Sequence, residues 1–352
     1  MKIGILTFHW ATNYGAVLQA YALQTFLEKK GHSVSIINYK PLQFDHSIKS
    51  YIIYPRLFKK LLFRFSEVKR ELIKDHNLEI FRKKHLHLTK RLYSWEDVSA
   101  IVDEYDILIS GSDQVLNPYF TTQGENKPTS VYFLSFSCYA RKIGYAVSFG
   151  CTEFPEKAAI LARQWIHSFD IIGTRENSGI SILDQLNYDK NRQIVPDPTI
   201  LCGKLLFANI NIKIKKENYT YVYLLRNKTI PVDYKALRSG ELRYSDTNAF
   251  NISLTHWLEE IGSCSFLITN SYHGMIMALL FHVPFAVLLE NEENVGMNDR
   301  FFTLLSKLNL LDRIAENSSE SINVVLSHDI NWTKLDNEVD SFRKEGESFL
   351  AL

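Results

Sequence analysis

Short apolar runs alternate with amphipathic helical segments along almost the whole chain. The first apolar run covers residues 2–8, and a helical pattern with apolar side chains on one side extends from Ala16 to Lys30. This alternation is typical of a mostly parallel sheet, because parallel strands need crossover connections. The sequence therefore predicts an α/β fold, with strands at residues 2–8, 33–39, 106–110, 142–148, 170–174, 193–195, 219–225, 266–269 and 284–289.

The triplet Pro196-Asp197-Pro198 interrupts the alternation and marks the predicted domain boundary. A chain of 352 residues is long enough for two ordinary domains. We expect an N-terminal domain over residues 1–197 and a C-terminal domain over residues 198–352, with a ligand-binding cleft between them. An amphipathic helix from Trp332 onward is expected to pack back on the first domain.

The composition gives no reason to expect nucleic acid as a partner. The formal net charge is +1, so no strong field attracts a polyanion. The four cysteines are scattered without a C-x-x-C pair, which predicts a reduced, cytoplasmic protein without a structural metal. The chain starts without a signal-peptide pattern, and no apolar run reaches the ~18 residues of a membrane span.

Residues from about 46 to 95 form a predicted basic helical insertion in the first domain. Between residues 50 and 91, twelve basic side chains stand against four acidic ones, with apolar residues between them. One interpretation is peripheral contact with an anionic membrane at its inner face, or with a lipid-linked acceptor. The other interpretation is a solvated helix that packs on its own domain.

The connection after the predicted strand 266–269 carries polar residues of several kinds. Asn270 and Ser271 can cap the next helix with their side-chain oxygens, and Gly274 lets the backbone approach a ligand. His273 stands at the carboxyl end of a strand, where ligands bind in open α/β sheets. A plain strand-to-helix connection with a surface histidine explains the same residues.

The first strand also leads into polar residues before a helix. Asn13, Tyr14 and Gly15 form a segment whose free backbone N–H groups can hold an anion. The segment lacks the Walker pattern and the G-x-G-x-x-G pattern. An ordinary helix start is the alternative interpretation.

Two further strand ends carry charged residues. Ser112, Asp113 and Gln114 follow the strand at residues 106–110, and Asp113 can accept a proton from a sugar hydroxyl or cap a helix. Arg175 follows the strand at residues 170–174 and can hold a carboxylate or phosphate with two hydrogen bonds. A structural ion pair of Arg175 with Glu176 is the alternative.

Taken together, these segments resemble the polysaccharide pyruvyl transferase family over nearly the whole chain. Each motif is moderately specific, but seven of them occur in the family's order. They are Asn13-Tyr14-Gly15 with the residues up to Gln19, Gly111 to Pro118, Gly144 to Gly150, Thr174-Arg175-Glu176, Asp197-Pro198-Thr199, Thr269 to Gly274, and Asn298-Asp299-Arg300.

The resemblance implies two Rossmann-like domains, similar to the B-type glycosyltransferases. It implies transfer of a pyruvyl group from phosphoenolpyruvate to a sugar of a surface polysaccharide, such as an exopolysaccharide, or of its lipid-linked precursor. A cyclic ketal forms and phosphate is released. The implied donor substrate is phosphoenolpyruvate itself, with no cofactor and no metal.

The resemblance also implies roles for single residues. His273 matches a histidine associated with the donor site and is the expected proton-transfer group. Asp113 is expected to orient or deprotonate the acceptor, and Arg175 and Arg300 are expected to bind the donor's anionic groups. The other predicted substrate-binding residues are Asn13, Tyr14, Gly15, Ser112, Gln114, Asn270, Ser271 and Gly274.

Two features depart from the family pattern. Some members carry arginine two residues before the histidine, where this chain has Ser271, so another cation has to bind the donor. The span of residues 227–246 leaves little room for a full helix between the first two strands of the second domain.

Two other functions fit the same fold. A glycosyltransferase with a nucleotide-sugar donor would bind a diphosphate at the same helix N-termini. A non-catalytic sugar- or anion-binding protein would keep the fold without the reaction.

Overall fold

A parallel sheet forms the centre of the N-terminal domain. Its strands are β1 (Lys2–Leu6), β2 (Ser33–Ile36), β3 (Ile107–Asp113), β4 (Arg141–Val147), β5 (Ile171–Thr174) and β6 (Arg192–Ile194). They lie in the order β2-β1-β3-β4-β5-β6, and every neighbouring pair is parallel. The computed structural model describes residues 1–41, 55–121, 129–225, 237, 241–246, 252–289 and 296–351.

A second parallel sheet forms the centre of the C-terminal domain. Its strands are β7 (Tyr219–Leu224), β8 (Glu241–Asp246), β9 (Phe266–Thr269), β10 (Phe285–Leu288) and β11 (Ile314–Ala315), in the order β11-β10-β9-β7-β8. The prediction of an α/β fold with parallel strands is confirmed. The pattern missed β11 and β8, and the span 227–246 around β8 lies outside the described residues apart from β8 and Leu237.

Helices connect the parallel strands, as crossover connections require. Those of the first domain are α1 (Tyr14–Lys29), α2 (Pro55–Phe63), α3 (Phe65–His85), α4 (Trp95–Ser99), α5 (Pro118–Thr121), α6 (Glu156–Ile166) and α7 (Asn177–Gln185). They are followed by α8 (Pro198–Cys202), α9 (Leu254–Ser263), α10 (Tyr272–Leu280), α11 (Asp299–Lys307), α12 (Ser319–Ser327) and α13 (Trp332–Leu350).

Each sheet changes the direction of its strand order beside its first strand. In the first sheet β1 lies between β2 and β3, and in the second sheet β7 lies between β8 and β9. Such switch points leave a crevice outside the carboxyl ends of the strands, where ligands bind in open α/β sheets. The segments that begin at Asn13 and Asn270 follow β1 and β9, and Ser112 lies at the end of β3, so all three lie at these two points.

The two domains pack directly against each other. One continuous apolar core contains Val17 of α1, Leu201 of α8 and Trp257 of α9. Helix α13 also contacts the first domain, because the ring of Phe349 lies 6.1 Å from that of Tyr145. The domains are therefore joined by buried apolar surface close to both switch points.

Helix α3 of the predicted basic insertion packs on its own domain. Val68, Leu78, Phe81 and Arg82 are buried on its inner side. Residues 46–54 of the predicted insertion lie outside the described residues. No helix in the described part of the chain has the length and apolar character to cross a bilayer.

Candidate active site

The imidazole of His273 lies in the first turn of α10, at the boundary between the domains. This helix begins at Tyr272, because Oγ of Ser271 accepts a 3.1 Å hydrogen bond from the N–H of Gly274 and caps it. His273 is 7% exposed. A Cβ atom on Gly15 of α1 would lie 2.1 Å from Nδ1 of His273, so only glycine permits this approach of the two helices.

A fully buried carboxylate, Asp197, faces this imidazole. Its Oδ2 lies 3.5 Å from Nε2 of His273 and accepts hydrogen bonds of 3.2 Å from Oγ of Ser112 and from Nη1 of Arg175. Its Oδ1 caps α8 through the N–H and the hydroxyl of Thr199, at 2.9 and 2.6 Å.

The pKa of Asp197 reflects these partners. Burial raises it, but the charges of His273 and Arg175 and the hydrogen bonds hold the pKa below its ordinary value. Asp197 is therefore a fixed anion between His273 and Arg175.

The guanidinium of Arg175 is buried among three carboxylates. Beside its bond to Asp197, Nε lies 3.6 Å from Oε2 of Glu176, and Nη2 lies 4.0 Å from Oδ1 of Asp113. Burial lowers the pKa of Arg175, but the charges of Glu176 and Asp197 outweigh burial and raise it. The structural ion pair weighed from the sequence is present. Nε and Nη2 nevertheless lack hydrogen-bond partners within the described residues, so this guanidinium keeps two donors that its described neighbours leave unused.

A second arginine, Arg300, lies close to the ring of Tyr272, as Arg175 does. The guanidinium carbons of Arg175 and Arg300 are 4.9 and 5.5 Å from the ring centre of Tyr272. Burial and the charge of Arg175 lower the pKa of Arg300 to about 10. Arg300 forms no ion pair with any described carboxylate. Two cations held this close favour an anion between them.

A contact between the domains holds Arg300 in this place. Helix α7 begins after Glu176 without a side-chain cap of its own. Instead its first N–H groups donate to the other domain: Asn177 N to Oγ1 of Thr303 at 3.1 Å, and Ser178 N to Oδ2 of Asp299 at 2.7 Å. The N-terminus of α7 is thus occupied by α11, and Arg300 is fixed beside Arg175.

Asp113 ends β3 in an unusual backbone conformation. Ser112 and Asp113 have φ angles of 31° and 65°, which non-glycine residues rarely adopt. The carboxylate of Asp113 accepts a 2.9 Å hydrogen bond from the N–H of Gln114, and its side chain is 19% exposed. The sequence alternative of a helix cap is wrong, because Asp113 lies in a strand. Strain of this kind is typical of functional sites.

The side chains of Asn13 and Tyr14 serve the architecture of the first strand end. Oδ1 of Asn13 caps α1 by accepting a 2.8 Å hydrogen bond from the N–H of Gly15. The hydroxyl of Tyr14 donates to the carbonyl of Ile252 at 2.6 Å, and its ring stacks on Trp257 at 5.3 Å. These contacts join α1 to the second domain.

Asn270 and Gln114 are likewise engaged with neighbours. Asn270 accepts from the N–H of Leu225 at 2.6 Å and donates to its carbonyl at 3.3 Å, which ties β9 to the end of β7. Oε1 of Gln114 accepts from Nδ2 of Asn117 at 2.9 Å. Of the predicted set, the structure brings together Gly15, Ser112, Asp113, Arg175, Ser271, His273, Gly274 and Arg300.

Three important residues were not among the predicted site residues. Asp197 was interpreted only as part of a domain boundary and a family motif, although Asp before Pro is a helix-start pattern. Tyr272 directly precedes His273, and its aromatic side chain did not indicate a site residue in the sequence. Arg82 of α3 donates to the carbonyls of His9 and Ala11 at 2.8 and 2.9 Å, and only a long-range contact could reveal that role.

The described residues contain no group of three His, Cys, Asp or Glu side chains arranged to hold a metal. A groove does exist between α10 and α13, lined by Leu279, Leu280, Leu335 and Val339 among others. It shares no residue with the cluster around Asp197. The chemistry-bearing side chains and this apolar groove are therefore separate features.

A family model for polysaccharide pyruvyl transferase matches residues 13–292 of this chain. The match includes every predicted site residue except Arg300. Comparison with curated proteins gives no match.

Solved structures with a similar fold include glycosyltransferases and epimerases. The spinosyn forosaminyltransferase SpnP is 10% identical, with 99% of this chain and 95% of the other covered and a TM-score of 0.46. MnaA of S. aureus with UDP is 11% identical, at 96% and 90% coverage and a TM-score of 0.49. UDP-GlcNAc 2-epimerase from Neisseria meningitidis is 9% identical, at 98% and 94% coverage and a TM-score of 0.43. Likenesses this remote carry no argument about function.

Proposed function

This chain belongs to the polysaccharide pyruvyl transferase family, and from that premise we propose that it transfers a pyruvyl group from phosphoenolpyruvate to a sugar. The acceptor is a sugar of a surface polysaccharide or of its lipid-linked precursor. The product is a cyclic ketal, and inorganic phosphate is released.

One observation carries the proposal: the guanidinium groups of Arg175 and Arg300 both lie close to the ring of Tyr272, beside the His273–Asp197 pair. Phosphoenolpyruvate carries a phosphate and a carboxylate, and guanidinium groups bind both kinds of group with paired hydrogen bonds. A bound anion relieves the repulsion between Arg175 and Arg300. These two arginines take the place of the arginine that some family members carry at the position of Ser271.

The first chemical step is protonation of the donor's methylene carbon. His273 donates this proton, which turns the CH2 group into CH3 and leaves positive charge on the neighbouring carbon and its oxygen. The negative charge of Asp197, 3.5 Å from Nε2, stabilises the imidazolium before the transfer. Asp197 is fully buried and engaged with His273, Arg175 and Ser112, so we assign it the role of a positioning residue.

The next step joins the acceptor to the donor carbon. Asp113, whose side chain is 19% exposed, takes the proton of the attacking sugar hydroxyl as a C–O bond forms. A second hydroxyl of the same sugar then attacks the same carbon and displaces phosphate, which leaves with the C–O bonding electrons. Of the two hydroxyl protons, one restores the proton that His273 gave to the methyl group, and one leaves with phosphate.

The test is phosphate release from phosphoenolpyruvate in the presence of candidate acceptor sugars. We expect release that depends on both the donor and the acceptor, with a ketal product detected by mass spectrometry. Turnover of a nucleotide sugar with no use of phosphoenolpyruvate would instead make the chain a glycosyltransferase. Saturable binding without turnover of either donor would make it a binding protein.

Donor binding is tested separately from turnover. Arg300→Gln should weaken phosphoenolpyruvate binding by about tenfold or more in calorimetry, because it removes one charge-assisted contact. Arg243→Gln is the matched control, since Arg243 is partly exposed and pairs with Glu217 and Glu241. Equal donor affinity in Arg300→Gln and wild type would show that the arginine pair does not bind the donor.

A further inference from the structure

The end of α2 and the start of α3 expose an unusual number of large apolar side chains. Phe58, Leu62, Phe63 and Phe65 are 43%, 60%, 82% and 64% exposed. We call residues 58–69 the apolar tip. Scattered exposed apolar residues are ordinary on a soluble protein, but contiguous ones mark an interaction surface.

Basic side chains surround the apolar tip. Between residues 58 and 71 the sequence has five basic residues and two acidic ones. Lys59, Arg64 and Lys69 are exposed. Arg64 forms an ion pair with Glu67, with 3.3 Å between Nε and Oε1. Aromatic and leucine side chains flanked by lysine and arginine suit the boundary of an anionic lipid layer, where rings enter the headgroup region and cations bind phosphates.

Two other basic residues of this region, Arg82 and Lys74, face the protein. Arg82 is buried against the carbonyls of the β1–α1 connection. Lys74 lies 4.7 Å above the ring of Tyr14. Helix α3 therefore carries basic residues that contact the β1–α1 connection and Tyr14, as well as exposed basic residues near the apolar tip.

Helix α3 connects the apolar tip with the N-terminus of α1. Lys74 of α3 contacts Tyr14 at the N-terminus of α1. Phe65, the first residue of α3, lies about 14 Å from Lys74 along the helix axis, at 1.5 Å per residue. Helix α3 also contacts α9 of the second domain. A membrane that held the apolar tip would thus lie next to the boundary between the two domains.

We propose that the apolar tip of residues 58–69 is a peripheral docking surface for anionic membranes. It holds the domain boundary close to the lipid surface. The further step, that the bilayer presents a lipid-linked sugar to Asp113 and His273, rests on the proposed function. The docking surface itself does not depend on that reaction.

The test is flotation of the full-length protein with vesicles of phosphatidylcholine, with and without about 30% phosphatidylglycerol. We expect binding to the anionic vesicles that falls at high salt. Phe63→Ser with Phe65→Ser should lower the bound fraction about tenfold, and Lys59→Glu with Lys69→Glu should do the same at low salt. Ile160→Ser and Val324→Ser are matched controls, because these side chains are 59% and 55% exposed on other helices.

The outcomes separate the possibilities. Vesicle binding that the double serine variant leaves unchanged overturns the proposal, as does the absence of binding to anionic vesicles. A concentration-dependent dimer that this variant abolishes, without vesicle binding, would assign the apolar tip to a second copy of the chain. Vesicle binding in a protein that never uses phosphoenolpyruvate would overturn the proposed function and leave the docking surface standing.

Discussion

Two strand-to-helix connections meet at the domain boundary and look alike in sequence. The first joint, residues 9–15 after β1, contains Asn13-Tyr14-Gly15, and the second joint, residues 270–274 after β9, contains Tyr272-His273-Gly274. In the first joint the side chains of Asn13 and Tyr14 serve a helix cap and an interdomain hydrogen bond. In the second joint His273 instead faces a buried charge cluster.

The histidines of the two joints show the difference most clearly. His9 of the first joint is 1% exposed, with Nδ1 3.1 Å from the carbonyl of Thr7 and Nε2 3.1 Å from Oδ1 of Asn38. Burial lowers the pKa of His9 to about 4. His273 packs against Gly15 and faces Asp197. Polar residues at strand ends therefore divide into those that shape the site and those that act in it.

The largest effect on stability is expected from Asp197→Asn. This change removes the anion between His273 and Arg175 and leaves a buried guanidinium less compensated, at a cost of about 3 kcal/mol in the free energy of unfolding. Urea denaturation measures it. Ser112→Ala is the control, because it removes one hydrogen bond to the same oxygen and should cost about 1 kcal/mol. Equal losses in the two variants would mean that the buried charge of Asp197 stabilises the fold no more than one hydrogen bond does.

The pH dependence of stability should isolate the first joint. In the unfolded chain a histidine has a pKa of about 6.5, above the value of about 4 for folded His9. The unfolded state therefore binds the proton first, and stability present above pH 6.5 is lost as the pH falls toward 4. Between pH 7.5 and 5 this loss is about 2 kcal/mol.

The measurement is urea denaturation of wild type and His9→Gln at both pH values. The variant should lose less stability than wild type over this interval. An identical loss in the two proteins would show that groups other than His9 cause the fall in stability at acidic pH.

Gly15→Ala should disturb the contact between the joints. The added Cβ would lie 2.1 Å from Nδ1 of His273, so the imidazole or α1 has to shift, at a cost of about 1–3 kcal/mol. In a His273→Ala background the same substitution should cost much less. A double-mutant cycle in urea measures this coupling, and additive losses would contradict the close packing of the two residues.

The smallest effects are expected at the two helix caps. Asn13→Ala and Ser271→Ala should each cost about 1 kcal/mol in unfolding free energy, because each removes one cap of a helix N-terminus. Donor affinity should stay within about threefold of wild type in both variants, since neither removes a charge. A large loss of phosphoenolpyruvate affinity in Ser271→Ala alone would place that hydroxyl on the donor.

Much of the fold follows from the sequence because local patterns decide it. The apolar runs and the helical spacing predict most strands and helices, and Gly-Ser-Asp and Asn-Tyr-Gly mark strand ends. The short strand β11 and the five-residue helix α8 carry too few residues for a periodic pattern. The start of α10 is set by the cap at Ser271, one of the two residues that the sequence indicates as a cap.

The candidate site is less predictable from sequence. His273, Asp113 and Arg175 each stand at a strand end, and the parallel topology brings such ends together. The partners are long-range: Asp197 meets His273 only after the second domain packs on the first, and Asp299 caps α7 from the other domain. Helix caps and ligand contacts also use the same residue types. Asn13 and Asn270 were predicted to bind substrate, but in the structure their side chains form hydrogen bonds with backbone groups.

The most direct test compares one residue of each joint in acceptor-dependent phosphate release from phosphoenolpyruvate. His273→Gln should lower the rate constant about 10³-fold, because it removes the proton donor. Asn13→Ala should change it by less than about threefold, because it removes only a helix cap. A His273→Gln protein that folds and releases phosphate at the wild-type rate would contradict the assignment of the chemistry to the second joint.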